Sequence, residues 1–306
     1  MADAFTLTGP GAATPAEQAT GTGSEASGDK RRRRVLVTGA AGRIGSYFAH
    51  NAGNKYDLRL MVRPSDPTES VDKIRPLGEI VVGELGDLDA LKRFCADVDT
   101  IVHLAADPSP SATWQSLLDS NIVGTYHVFA AAKAAGSVRR VIYASSIHAV
   151  SGYPKDMQVH ENHPVNPGDL YGVSKCFGEA LCRYMAEQEG VSAIALRIGA
   201  FQPLESARGE HGFRMMDAFV SQRDLNQLIH RCIDAADTLR FAIFHGLSDN
   251  RFKRMDISSA RQLVGYTPED DATREAPQLR DLRLFESVPG HNVADRGQKS
   301  GLREDL

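Results

Sequence analysis

The chain has 306 residues, 42% hydrophobic and 24% charged, with a formal net charge of -4. That composition belongs to a globular protein with one large domain, or one large and one small, and a charge spread over both halves excludes a basic surface for nucleic acid. No apolar run reaches the ~18 to 20 residues that cross a bilayer, so no membrane partner is expected.

The first 29 residues are rich in Ala, Gly, Thr, Ser and Pro and lack the basic start and apolar core of a secretory signal. Arg31 to Arg34 border the first strand, and residues 1–33 are expected to form a disordered extension. Cys95, Cys176, Cys182 and Cys232 lie far apart with no CxxC pair. They suit buried apolar positions in a reducing compartment, and a cytoplasmic location follows.

Val35-Leu36-Val37 is a short apolar strand, followed by Thr38-Gly39-Ala40-Ala41-Gly42-Arg43-Ile44-Gly45 and a helical pattern to about Ala52. In this order of strand, glycine turn and helix, Gly39 takes the tight turn. Gly42 lets a pyrophosphate approach the backbone, and Gly45 lets helix and strand pack closely. Ala41, Arg43 and Ile44 complete the candidate cofactor-binding turn. A simple tight βα turn is the plainer alternative.

Leu58 to Val62 forms a second strand that ends at Arg63. An acid at that strand end holds the ribose hydroxyls of NAD, whereas an arginine accepts a 2′-phosphate, so Arg63 tilts the expectation towards NADP. Asp66, slightly later, is still placed to face the ribose. Ile80 to Val82 is a third strand, after which Glu84, Leu85 and Asp87 are placed to edge an adenine ring.

Thr100 to Leu104 makes a fourth strand, closed by the small residues Ala105 and Ala106, so Leu104, Ala105 and Ala106 join the candidate cofactor contacts. His103 is expected to be a satisfied core histidine. A long helix from about Trp114 to Ala135 carries Asn121 on its apolar stripe. A buried Asn needs partners, which makes it a structural kink or part of a proton path. Arg140 to Ala144 is a fifth strand ending in Ser145-Ser146, hydroxyls that face the cleft outside the carboxyl ends of parallel strands.

A loop to Pro167 leads into a helix whose apolar residues recur at Val173, Phe177, Ala180, Leu181 and Tyr184. Tyr171 and Lys175 are four apart and share one face. A free phenol titrates near ~10, and a neighbouring ammonium favours the phenolate, so Tyr171 is a candidate general base or acid. Ser192 to Arg197 is a sixth strand. Strands alternating with helices at this rhythm predict an α/β, Rossmann-like, doubly wound parallel sheet over residues 34–199. Beyond Gly199, Ser221 and Asp224 look like a capping box before a helix to about Asp234. Phe241 to Phe244 is a strand, and Ser258 to Val264 a short helix. Residues 200–270 are expected to form a small substrate cap, and 271–306 a polar tail. His160-Glu161-Asn162-His163 superficially suggests a zinc helix, but the spacing of three and Pro164 predict a loop, so no metal is expected.

TGAAGRIG at 38–45, HLAA at 103–106, Asn121, Ser145-Ser146 and YGVSK at 171–175 together resemble the extended short-chain dehydrogenase/reductases, in the NAD-dependent epimerase/dehydratase branch. The resemblance covers about residues 34–270 and implies a catalytic set of Asn121, Ser146, Tyr171 and Lys175. ASSIHAVSGYP, LYGVSKCFGE, LRIG and FRMM are similar to stretches of uronate dehydrogenases, which oxidise the anomeric carbon of galacturonate or glucuronate to a lactone with NAD. That likeness implies that His148 touches sugar hydroxyls and that Arg214 grips the carboxylate, beside Ser146 and Tyr171. Three departures stand out. Ile147 replaces an Asn that contacts the sugar, Ala200 replaces a Ser, and Val62-Arg63 replaces the strand-end acid of an NAD enzyme.

The resemblance further implies NAD or NADP as cofactor, a small sugar as partner and a homodimer formed through the helices of Asn121 and Tyr171. In the mechanism it implies, Tyr171 takes the proton of the anomeric hydroxyl while hydride leaves the same carbon. Ser146 steadies the oxygen, and Asn121 anchors a water that links Lys175 to solvent. A nucleotide-sugar epimerase or a non-catalytic NAD(P) sensor would share the glycine turn. The epimerase needs room for a nucleoside diphosphate, and the sensor usually lacks the tyrosine and lysine.

Overall fold

The computed structural model describes residues 32–208 and 215–276. Its strands are β1 Arg34–Thr38, β2 Asp57–Val62, β3 Glu79–Val82, β4 Thr100–His103, β5 Arg140–Ser146, β6 Ser192–Ile198, β7 Ala200–Gln202, β8 Phe219–Ser221 and β9 Phe241–Gly246. Among the described residues seven of them make one sheet in the order β3-β2-β1-β4-β5-β6-β9, and every neighbouring pair is parallel. Both faces are covered, so the strands read as apolar runs whose alternate residues enter different cores.

On one face, Val35 and Val37 of β1 and Ile142 of β5 meet helix α1 (Arg43–Ala52) through Phe48 and Ala52. Helix α2 (Thr68–Ile74) adds Val71 and Ile74 to the same core. On the other, Leu36, Val141 and Tyr143 meet α3 (Leu88–Phe94), α5 (Gly124–Ala135) and α6 (Leu170–Glu187) through Leu91, Phe129 and Cys182. The result is the doubly wound, Rossmann-like α/β sheet that the alternation predicts.

The long helix expected from Trp114 to Ala135 is broken. α4 (Trp114–Leu117) passes through a π-helical stretch, Leu118–Val123, before α5 begins. The wider turn carries Asn121 and leaves it fully buried.

The stretch expected as a small cap shares the main sheet. β9 is the seventh strand of the main sheet, paired with β6 from Ala193↔Phe241 to Ile198↔Gly246. Helix α7 (Gln222–Ile233) lays Leu225, Leu228 and Ile229 into the same core as α1. A segment this short buries its apolar face more completely on an existing sheet than by itself. β7 and β8 form a small separate parallel pair.

Asp224 ties the chain on either side of the expected boundary at 270 to the start of α7. Ser221 Oγ accepts the Asp224 N–H, but the Asp224 carboxylate accepts from Ser248 Oγ and from the N–H groups of Glu269 and Asp270 instead of closing the capping box. Residues 270–273 are buried, and Ala272–Glu275 is a further helical turn. No helix among the described residues is long and apolar enough to cross a membrane.

Candidate active site

A cleft opens at the carboxyl ends of β1, β4, β5 and β6, where the strand order reverses between β1 and β4. Ligands of open parallel sheets bind at such switch points. A cavity of about 770 Å³ runs from Gly39, Gly42 and Gly45 past Arg63, Asp66, Glu84 and Leu85 to Leu104, Ala105 and Ala106. A second, of about 260 Å³, continues from Leu104 and Ala106 to Ser146, His148, Tyr171 and Lys175.

The glycine turn fits a pyrophosphate. Gly39 has φ of +68°, and a Cβ there would stand 2.9 Å from Ala105 N; a Cβ on Gly45 would stand 2.4 Å from Gly39 O. No side chain caps α1 and no acid sits in its first turn, so its leading N–H groups and the positive end of its dipole remain for an anion. Thr38 and His103 brace the opposite wall. Thr38 Oγ1 accepts from the N–H groups of Leu104 and Ala105, so its own hydrogen goes to His103 Nδ1 at 2.8 Å. Burial pulls His103 down to about 3, and this neutral ring is the satisfied core histidine that the sequence predicts.

Several candidate cofactor residues have partners within the protein. Arg43 donates to Phe201 O at 3.0 Å and Gln202 Oε1 at 2.8 Å, bridging the glycine turn to β7. Arg63 donates to Asp66 Oδ1 from two guanidinium nitrogens, and its main-chain N–H donates to Asp66 Oδ2. Glu84 and Leu85 line the larger cavity, and Leu85 O accepts from His127 Nδ1 at 2.9 Å. Asp87 caps α3 through the Ala90 N–H.

The second cavity gathers the chemistry-bearing side chains. Ser146 ends β5, and Tyr171 and Lys175 stand in the first turns of α6, whose N-cap is Asp169. All four are buried. Lys175 Nζ donates to Ala144 O at 2.9 Å and lies 5.6 Å from the Tyr171 ring centroid. Burial pushes the Tyr171 phenol up to about 12, against a hydrogen bond with Ser146 that favours the phenolate. Burial likewise pulls Lys175 down to about 8. The expectation of a phenol made acidic by its ammonium neighbour is therefore corrected for the protein alone: in this low-dielectric cleft desolvation outweighs the pair's attraction, and both groups shift towards neutrality.

Asn121 is both kink and polar tether. Its oxygen accepts the Asp107 N–H at 2.8 Å, and its amide donates to Asp107 O at 3.0 Å and to Ser174 Oγ at 2.9 Å, tying the loop after β4 to α6. Ile147 and Ala200 line the smaller cavity, so both departures from the uronate dehydrogenase pattern fall on its wall. Arg214 lies outside the described residues. The His160 to His163 segment forms a turn, as Pro164 predicts, with His163 Nδ1 accepting the His160 N–H.

Sequence reasoning did not single out Asp107, Asp169, Phe201 or Gln202. Asp169 carries a local signal, an acid three residues before the Gly172 N–H that it caps. Gln202 carries none, because its partner Arg43 is 159 residues away.

Residues 35–223 match the model of the NAD dependent epimerase/dehydratase family. The NAD-dependent glucose-6-phosphate dehydrogenase of Haloferax volcanii is 35% identical, over 78% of this chain and 94% of that protein. The uronate dehydrogenase of Pseudomonas putida is 31% identical, over 78% of this chain and 85% of that protein. The crystal structure of a mutant uronate dehydrogenase from Agrobacterium tumefaciens complexed with NAD superposes with a TM-score of 0.71 at 31% identity, covering 84% of this chain and 91% of that one. The chain is a member of the NAD dependent epimerase/dehydratase family.

Proposed function

We propose that the chain is an NAD(P)-dependent CH–OH oxidoreductase that oxidises the anomeric carbon of a free sugar, an acidic one such as a hexuronate, to its lactone. The observation that carries this reading is the meeting of Ser146, Tyr171 and Lys175 in a cavity of about 260 Å³ that opens into the larger one along the glycine turn. A cap this small leaves little room for a nucleoside diphosphate sugar, which favours the dehydrogenase over the epimerase. The sugar dehydrogenase relatives support the same class of reaction.

When bound, oxidised nicotinamide would supply the hydride acceptor and a positive charge. Tyr171, as the phenolate that Lys175 and the cofactor's positive charge would favour, takes the proton of the anomeric hydroxyl, and Ser146 hydrogen-bonds the same oxygen as charge moves from it. Ser146 Oγ accepts the His148 N–H at 3.2 Å, so its single hydrogen, directed at Tyr171 in the protein alone, would turn to the substrate oxygen. Lys175, held by Ala144 O, orients the ring and lends positive charge, while Asn121 fixes the helix that carries both. Gly39, Ala41, Gly42, Arg43, Ile44 and Gly45, with Arg63, Glu84, Leu85, Leu104, Ala105 and Ala106, would hold the cofactor. His148 contacts the sugar, and Arg214 pairs with its carboxylate.

The cofactor is NAD or NADP, with Arg63 favouring the 2′-phosphate. Exposed Val123 and Tyr126 on one helix and Val173 and Tyr184 on another suit a homodimer paired through these helices. Four free cysteines, three of them buried, suit the cytoplasm. The test is to offer galacturonate, glucuronate, glucose 6-phosphate, arabinose and UDP-glucose with each cofactor. Net cofactor reduction with a free acidic sugar is expected. Isomerised UDP-glucose without net reduction would establish the epimerase instead.

A further inference from the structure

Neither Glu179 nor Arg197 lines either cavity, but Ser145, on the wall of the smaller one, donates to Glu179 Oε1 at 2.6 Å. Arg197 holds the same carboxylate from two nitrogens, Nε to Oε1 at 2.9 Å and Nη2 to Oε2 at 2.8 Å. The side chains of Arg197 and Glu179 are 1% and 4% exposed. Arg197 Nη1 lies 3.5 Å from His245 Nε2. A guanidinium only donates, so His245 accepts at Nε2, and its Nδ1–H donates to Asp256 O at 2.6 Å.

The sheet brings these groups together. Ser145, Arg197 and His245 are register partners across β5, β6 and β9, so their side chains leave one face of the sheet in a single row. It is the face that α6 covers, where Tyr143 and Ala195 of the same alternation meet Cys182. On α6, Tyr171, Lys175 and Glu179 are four apart and share one stripe. That stripe meets β5 at consecutive residues, because Lys175 donates to Ala144 O and Glu179 accepts from Ser145 Oγ. The next residue, Ser146, hydrogen-bonds Tyr171.

A buried ion pair is a poor source of stability, since desolvating both charges offsets their attraction and an apolar pair of similar size often stabilises as well. What this pair supplies is direction. A two-pronged guanidinium contact and a bond to Ser145 fix where the helix sits along the strand, whereas an apolar contact leaves it free to slide.

We propose that Glu179, with Arg197 as its counterion, is a positioning residue that fixes the setting of α6 against the end of β5, and with it the reach of Tyr171 to the oxygen that Ser146 binds. The effect on turnover rests on the dehydrogenase reading; the placing of the Tyr171 ring does not.

Glu179→Met combined with Arg197→Met removes the pair without leaving a lone buried charge. Glu179→Asp keeps the charge on a side chain one methylene shorter, and decides the matter if the double variant does not fold. In each, kcat with glucuronate or galacturonate is expected to fall about tenfold or more. The sugar KM and the NAD dissociation constant stay within about twofold, and the double variant melts within a few degrees of the wild type. In full-length protein labelled with ¹³Cζ-tyrosine, with Tyr171→Phe giving the assignment, the wild type is expected to show one Tyr171 resonance and the variants a shifted or split one. Wild-type kcat in either folded variant, or a Tyr171 resonance that neither variant moves, would overturn the proposal. The two readings fail separately. A wild-type protein that oxidises no sugar defeats the dehydrogenase reading, whereas the Tyr171 resonance decides without any turnover whether the pair sets the helix.

Discussion

Lys175 Nζ lies 5.6 Å from the centre of the Tyr171 ring and donates to the carbonyl of Ala144 in β5 at 2.9 Å. An ammonium held this way stays close to the phenol in charge while its own position is set by the sheet. Its burial has an energetic cost that belongs to function. Lys175 titrates at about 8 in the folded protein, below its ordinary value of 10.5. Between those values the unfolded chain binds more protons than the folded one, so stability rises with pH through the window from about 8 to about 10.4. Below it the full penalty, at most about 3 kcal/mol, is present. Lys175→Met is therefore expected to melt higher than the wild type at pH 7, with the gain shrinking above pH 8 and gone near pH 10.4, while turnover is lost. Thermal melts of both proteins across pH 6 to 10 check this, and a variant that melts lower at neutral pH would show that the Ala144 hydrogen bond outweighs the buried charge.

Gly172 is required by a close approach and not by its backbone angles. With a Cβ only 2.3 Å from His148 O, the helix and the serine turn must separate. Gly172→Ala is expected to lower stability by about 1–3 kcal/mol and to reduce kcat/KM more than Val173→Ala on the exposed side of the same helix. Denaturant unfolding and initial rates measure the two effects, and an unchanged unfolding midpoint would mean that the helix and the serine turn have slack at this contact.

Arg63 is engaged with Asp66, and its side chain is 64% exposed. A 2′-phosphate must draw the guanidinium from that carboxylate, whereas ribose hydroxyls can be met by Asp66 itself. Arg63→Asp is expected to lower kcat/KM with NADP about tenfold or more while changing the NAD value little. Equal preference before and after the change would mean that Arg63 does no more than pair with Asp66 in solvent.

Tyr126, on α5, is 55% exposed, and Val173, on α6, is 45% exposed. A charge on each should oppose pairing of two copies through these helices. Tyr126→Asp combined with Val173→Asp is expected to sediment as a monomer while the wild type sediments as a dimer. A monomeric wild type would remove the homodimer.

Much of this site is visible in the sequence because its parts are local. Val35 to Val37 alternates between two apolar cores, Gly39 and Gly45 answer to contacts inside one turn, and Tyr171 and Lys175 are neighbours on one helix face. What stays hidden depends on chain brought from elsewhere. Phe241 to Phe244 reads as a strand from its composition, yet nothing in those residues says that it pairs with β6 and completes the sheet. Arg43 is a candidate cofactor contact by its place in the glycine turn, yet nothing in the turn says that Gln202 meets it from 159 positions away. The Lys175 spacing implies an acidic phenol, but the burial that opposes it is set by the whole sheet. Asp270 is tied to Asp224 from 46 positions away.

Deuterium tracing with a sugar labelled at its anomeric carbon tests the reaction at the bond that is said to break. With wild-type protein, the label from a free hexuronate is expected on the reduced nicotinamide, with release of a lactone. Tyr171→Phe is expected to bind cofactor almost as well and to transfer label at least about a hundredfold more slowly. Label that stays on the sugar while cofactor is reduced, or transfer by Tyr171→Phe at the wild-type rate, would contradict oxidation at that carbon by this tyrosine.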